Sequence, residues 1–416
     1  MIDAHKRIRL AELLSEAAEL EHGLMCQYLY AAFSLKRQPE EGVSWAQLEL
    51  MRRWEASIML VARQEMEHLG LVNNMLSAIG EAPYFERPNF PLGPRHYPID
   101  IPFKLERLTP GALSRFIEFE MPREPDAGSQ ARLTATVPAV EPGGFQTIGQ
   151  LYEEVLALFH QLDSPELWIG PPGAQFITTE VIPVPIRGVS LAGKAVYDVN
   201  LVAVKDLASA ELAIAQILRE GEGIPEPTPS SHFARFLAIA EELAAAQRED
   251  PGFDPARPVI EDPRGRIKNR ATRAVADLFE LAYGTLMLML MRYFAHADET
   301  QAELAALQQT AFFPLMTTAI RPLGEVLTLL PAHTDKPTPT AGASFKFTRN
   351  LTLHPHRRAA WQVMLLQLEQ LAADASRLCT LPDYPEPVRE RLELVYENAA
   401  RMALVFSGAM NLRPPT

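Results

Sequence analysis

The stretch Val61-Ala-Arg-Gln-Glu-Met-Glu-His-Leu69 decides how the chain is read, because it sets Glu65 and His68 one helical turn apart. On an α-helix, residues at i and i+3 share a face. The apolar stripe through this segment runs Trp54, Ile58, Val61, then Glu65 and His68, then Val72, Met75 and Ile79. Both polar groups therefore point into a core, where a carboxylate and an imidazole are costly unless something pairs with them. Glu67 falls with Arg63, Gly70 and Asn74 on the polar face, where solvation is expected. An inward Glu-x-x-His is one half of the dimetal-carboxylate arrangement of four-helix bundles, in which two helices each give Glu-x-x-His and two others one Glu each.

The remaining ligands are sought along the chain. A first helix over about 8–35 carries Leu10, Leu14, Ala17, Leu24, Ala31 and Leu35 on one stripe, and Glu21 and Tyr28 fall on it; Glu12, Glu16 and Glu19 face away. Taken alone, Glu21 is either a ligand or an acid at the edge of the core paired with a base. Tyr28 is either a core tyrosine with a satisfied hydroxyl or a group that acts on the site. Ser44 is placed to cap a second helix over about 45–80, which holds Glu65 and His68. Residues 81–110 read as a long connection, and a short helix follows from Pro110 to before Pro122. Stepping back four and seven residues from Glu120 lands on Phe116 and Leu113, whereas the same steps from Glu118 land on Ser114 and Gly111, so Glu120 is the inward acid.

After a Pro/Gly-rich crossing come a helix over 148–162, an extended stretch around 176–204 and a helix over about 206–220. That helix ends in Arg219-Glu220-Gly221-Glu222-Gly223, and Pro225, Pro227 and Pro229 forbid its continuation. Ser230-Ser231-His232-Phe233 restarts a helix with His232, Phe236, Ile239 and Leu243 on one face. Further helices are expected at about 274–294, 300–330, 356–378 and 387–407, with Met287, Met289 and Met291 as core packing. His354 and His356 have no third ligand beside them and are left unassigned. The composition shift at 251–270 marks a linker between residues 1–250 and a helical domain over 271–416.

Glu21, Glu65, His68, Glu120, Glu222 and His232 together make four carboxylates and two imidazoles, the donor count for two transition metals between bundle helices. This mixture suits iron first and manganese second. Glu222 and His232 lie ten residues apart, so both reach one site only if the Pro-rich segment loops out; Glu220 is the reserve candidate.

Composition bounds the rest. A net charge of -13 argues against nucleic acid, and two cysteines exclude a thiolate cluster. No signal peptide is read at the N-terminus, and the apolar run over 281–291 is too short to span a membrane, so cytoplasm without a membrane partner is the expectation; a homo-oligomer is compatible.

The chain resembles the ferritin-like domain of the iminophenyl-pyruvate dimer synthases. The resemblance is carried by Glu19-Leu20-Glu21-His22, Gln27-Tyr28-Leu29-Tyr30-Ala31-Ala32-Phe33-Ser34-Leu35-Lys36, Glu65-Met66-Glu67-His68-Leu69, Phe116-Ile117-Glu118-Phe119-Glu120-Met121-Pro122, Ile148-Gly149-Gln150-Leu151-Tyr152 and Glu220-Gly221-Glu222-Gly223 with Ser231-His232-Phe233. It implies a mainly α, ferritin-like four-helix bundle with long loops and a C-terminal helical domain, and carries the six ligands over to a di-iron or related dimetal centre. The expected activity is that of an oxidoreductase using dioxygen or peroxide on a small, amino-acid-derived substrate, with Tyr28 as hydrogen-bond donor or radical relay near the metals. Manganese with catalase-like activity is a subsidiary form of it. The alternatives are an iron-sequestering protein without organic substrate, and a helical interaction protein whose buried acids are only salt-bridged.

Overall fold

The computed structural model describes residues 2–93, 97, 101–122, 125–137, 148–177, 200–221, 230–295, 298–311, 314–348 and 351–411. The first helix, α1 (Ala4–Ser34), is capped by Asp3, whose carboxylate accepts from the backbone of His5 and Lys6. Its first half buries one stripe, whereas nearly every side chain from Leu20 to Ser34 is buried. A helix apolar on all sides needs protein on all sides. The neighbours are α2 (Trp45–Ala78), α5 (Ile148–Leu162) and α10 (Arg321–Leu327). Ser44 and Gln47 form a reciprocal capping box that starts α2.

Two shorter helices complete the bundle. Thr109 caps α3 (Pro110–Phe119), with Pro110 in the first turn, and Ser231 caps α7 (His232–Glu249). The α1–α2 pair meets the α3–α7 pair through α2 and α7. A further pair, α5 and α6 (Leu207–Glu220), closes one side by packing on α1 and α2. The crossing expected to be irregular contains α4 (Ala127–Thr136), which rests on α7. Its signal is Asp126, an N-cap that accepts from Gly128 and Ser129. Of the extended stretch at 176–204, residues 178–199 lie outside the described ones.

Glu67 is a correction to the expected solvated face of α2. It is 3% exposed, because residues 174–177 and 200–204 cover that face. Asn74 clamps the cover: its Nδ2 donates to the Phe176 and Val202 carbonyls at 2.8 and 3.0 Å, and its Oδ1 accepts from Phe176 N at 2.9 Å. Leu201 sits over Gly70, where a Cβ would come within 2.9 Å of it. Glu67 keeps Arg63 at 3.3 Å, and burial pushes its carboxyl up to about 7.

Beyond α7, residues 251–268 pack into the core, burying Phe253, Ala256, Val259, Ile260 and Ile267. Their backbone pairs with the end of α1, the residues just after it and the segment before α11: Lys36 N donates to Pro255 O at 2.9 Å, Arg257 N to Ser34 O at 2.8 Å and Ile260 N to Thr340 O at 2.9 Å. Then follow α8 (Arg270–Phe294), α9 (Gln301–Ala311), α10, α11 (Arg357–Cys379) and α12 (Glu386–Asn411). Over the single helix expected at 300–330 the described residues form α9 and, from 314, a helical run in which a π-helical turn at Met316–Ile320 leads into α10, with Pro322 in its first turn; residues 312–313 lie outside the described ones. Proline lacks the donor an uninterrupted helix needs there. The α11–α12 hairpin packs on α8, and α8 also touches α2. By length and composition α8 could cross a membrane; 67% of its most apolar window is buried against protein. Among the described residues no strand is formed, only isolated bridges such as Leu92 with Phe103.

Candidate metal centre

Four bundle helices bring Glu21 (α1), Glu65 and His68 (α2), Glu120 (the C-cap of α3) and His232 (the first residue of α7) to one point. Each is at most 2% exposed. Glu65 is at the middle, with its two oxygens turned to different histidines. Its Oε2 is 3.3 Å from His68 Nδ1, and its Oε1 is 2.9 Å from His232 Nδ1. On one side Glu21 Oε2 lies 3.4 Å from His68 Nδ1; on the other, Glu120 Oε2 lies 3.2 Å from His232 Nδ1. The imidazoles face each other with centroids 5.5 Å apart.

The result is two triads, Glu21/Glu65/His68 and Glu65/Glu120/His232, each with one ligand atom per residue inside 4.8 Å, sharing Glu65. Each triad could hold a metal ion. The outer oxygens are already used: Tyr152 of α5 donates to Glu21 Oε1 and Tyr28 donates to Glu120 Oε1. This leaves Oε2 of each acid facing inward, a division of labour in which the phenol fixes the carboxylate and the free oxygen is presented to the centre.

The electrostatics show what this donor set lacks. Three acids meet with no lysine or arginine among the residues lining the cavity. Without a cation the charges conflict: burial, then the charge of Glu65, pushes Glu21 up to about 7. Burial opposes protonation of His232, but Glu120 and Glu65 raise it to about 9. His68 is raised well above its ordinary value, against burial, by its bonds to Glu21, Glu220 and Glu65. Burial and Glu120 push Glu65 up, yet the two imidazoles outweigh them and hold it low. Two divalent cations would remove the conflict, so carboxylate, imidazole and burial all fit such ions.

Of the expected ligands, Glu222 lies outside the described residues. Glu220, the reserve candidate, ends α6 with Oε2 3.2 Å from His68 Nε2, the nitrogen turned away from the triads. There it orients the imidazole. His232 Nε2 is buried with no hydrogen-bond partner among the described residues. Tyr28 is wedged between Phe116 and Phe236 at ring distances of 4.8 Å, with its hydroxyl on Glu120. Tyr152 was not singled out by its chemistry in the sequence. Its signal is a hydroxyl on the buried stripe Ile148, Tyr152, Val155, Phe159.

A small cavity of about 20 Å³ reaches Glu21, Glu65, His68 and Glu120. Leu24, Ile148, Gly149, Tyr152, Ile217, Leu218 and Gly221 form its other walls. A Cβ on Gly221 would lie 3.8 Å from Glu120 Oε2, so the glycine keeps this wall thin.

The ferritin-like family model matches residues 14–241, more than half of the chain and the span that contains all of these groups. The chain belongs to the ferritin-like family. This ferritin-like protein is 29% identical to dichlorochromopyrrolate synthase of Lentzea aerocolonigenes over 91% of its own length and 40% of that protein's. It is 28% identical to 2-imino-3-(indol-3-yl)propanoate dimerase of Chromobacterium violaceum over 78% of its own length and 33% of the relative's. The chain thus spans well under half of either curated relative. A ferritin-like protein from Caulobacter vibrioides of known crystal structure is 19% identical, covers 72% of this chain and 93% of its own, and gives a TM-score of 0.44.

Proposed function

We propose that this ferritin-like protein is a dimetal oxidoreductase, with Glu21, Glu65 and His68 holding one transition-metal ion, Glu65, Glu120 and His232 the other, and Glu222 completing the set. The observation that carries the reading is Glu65, one buried carboxylate whose two oxygens serve two separate imidazole-carboxylate triads. Iron is the first choice and manganese the second, as both accept oxygen and nitrogen donors. When bound, such a pair supplies electrons and Lewis acidity for the reduction of dioxygen or peroxide.

The chain's own groups do the rest. Tyr28 and Tyr152 hold Glu120 and Glu21 in the orientation that presents Oε2. Glu220 fixes His68 with Nδ1 inward. Leu24, Ile148, Ile217 and Leu218 keep bulk water away from the acids. The names of the two relatives, a synthase of dichlorochromopyrrolate and a dimerase of an indole-bearing imino acid, support a small amino-acid-derived substrate.

Elemental analysis of protein purified without chelator tests the reading, together with Glu65→Ala and His68→Ala. Two iron or manganese ions per wild-type chain, with loss in both variants, is the expected result. Retention of no transition metal, or equal content in the variants, refutes it; uptake far above two ions per chain supports iron sequestration instead.

A further inference from the structure

The outer face of α12 plays no part in the metal centre, and its residues follow a pattern that packing within one chain does not explain. Helix α12 turns Val388, Leu392, Val395, Ala399, Met402 and Phe406 into the protein, where it meets α9, α10 and α11. At about 100° per residue, the stripe on the opposite side is Glu390, Leu394, Glu397, Arg401, Leu404 and Gly408. All six are exposed or nearly so: Leu404 is 73% exposed and Leu394 37%, and the side chains of Arg401 and Glu397 are 72% and 49% exposed. Val405, beside Leu404, is also exposed. Half of the exposed large apolar side chains among the described residues lie on α11 and α12.

The order of the stripe is self-complementary. A second copy of the helix, laid antiparallel on the first with a twofold axis at Ala399, brings together residues equally far from that point. Leu394 then meets Leu404 of the second copy, Glu397 meets Arg401, and Glu390 meets Gly408, each pair occurring twice. A parallel pairing would instead set Glu397 on Glu397 and Arg401 on Arg401. Within one chain Glu397 and Arg401 already form a pair at 3.4 Å, which contributes little while it stands in water. Across the twofold axis two such pairs close into a ring of alternating charge. A Cβ on Gly408 would touch nothing within 4 Å, so no neighbour inside the chain requires a glycine there, although glycine weakens a helix relative to alanine. An approaching helix that carries the stem of Glu390 uses that gap.

We propose that the outer face of α12 is a homodimer interface, in which two copies of this chain pack antiparallel about a twofold axis at Ala399. The stripe from Glu390 to Gly408 is about 27 Å long. A contact of that extent belongs to the small, reversible class, with a dissociation constant in the micromolar range. The net charge of -13 on each copy opposes association at long range. At physiological ionic strength that repulsion is screened beyond about 8 Å, whereas the paired charges of the stripe lie closer. The interface is independent of metal binding.

Sedimentation equilibrium of the whole chain at physiological ionic strength tests it, with folding monitored by circular dichroism. Wild type is expected to pass from monomer to dimer across the micromolar range, and Leu404→Glu to remain monomeric. Arg401→Glu places acids at both charged positions of the stripe, and Glu397→Arg places bases at both; each alone is expected to be monomeric. An equimolar mixture of these two variants should dimerise again, because each acid of one chain then faces a base of the other. Mixing cannot repair a folding defect, so this arm decides the matter should Leu404→Glu fold poorly. A wild-type chain that stays monomeric to about 0.1 mM overturns the proposal. So does a dimer that none of the substitutions weakens, or a mixture that stays monomeric.

Discussion

Stripped of metal, the protein should lose stability as the pH rises from about 6 to about 9, and metal should abolish the loss. His232 is raised in the folded chain from 6.5 to about 9. A raised folded value contributes stability that is complete below the unfolded value and is lost as pH climbs through the folded one. The shift corresponds to about 3 kcal/mol, lost between about pH 6.5 and 9. Glu21, raised from 4.5 to about 7, acts in the same direction over about pH 4.5 to 7. Glu65 and Glu220 are held low, so their contributions are present above about pH 4.5 and are lost only in acid. With an unfolding entropy of roughly 2 cal/mol/K per residue, ~3 kcal/mol in a chain of this length is about 3 to 4 °C in Tm. Metal ligation requires deprotonated donors, so affinity and stabilisation increase with pH, reaching ~2.7 kcal/mol at a hundredfold excess over Kd. Calorimetry of chelator-treated and metal-loaded protein across this range should show the two Tm curves diverging. Glu65→Gln should flatten the metal-free curve, because the Glu65 charge contributes to both shifts. A metal-free Tm that is level or rises over this range, or an unchanged slope in Glu65→Gln, would refute the electrostatic account of the site.

Two other substitutions probe different layers. Glu220→Gln weakens the hold on His68 Nε2 and should lower metal affinity ~10- to 100-fold in chelator competition, with stoichiometry unchanged; loss of one ion would make Glu220 a ligand, and unaltered affinity would remove its orienting role. Asn74→Leu removes three hydrogen bonds that pin the cover over α2 and should cost on the order of 3 kcal/mol in denaturant unfolding, and a cost below about 1 kcal/mol would show that the cover holds without them.

The centre was legible where a polar group interrupted an apolar period. Glu65 and His68 on the stripe of α2, Glu21 on that of α1 and His232 behind its Ser231 cap each break a pattern that helix geometry makes strict. Glu120 needed only the comparison of its i-4 and i-7 neighbours with those of Glu118. Glu67 was misread because amphipathicity reports the neighbours a helix has in its own bundle, not the distant segments at 174–177 and 200–204 that later cover it. The π-helical turn at Met316–Ile320 within the helix at 300–330 was not legible, because it preserves the apolar pattern while changing the hydrogen bonding. The contact of buried His22 with Tyr283 left no periodic trace, since it joins α1 to α8 through two ordinary core residue types.

The buried position of His22 and the candidate metal centre share one structural cause. Successive residues of a helix point about 100° apart, so Glu21 and His22 must serve different faces of α1, and both faces are buried because α1 is enclosed by the bundle and, through Tyr283, by α8. Residues beyond the family match therefore reach the chain neighbour of Glu21 directly. Helix α8 thus adjoins the candidate site through side chains on a single turn of α1, without lining the cavity.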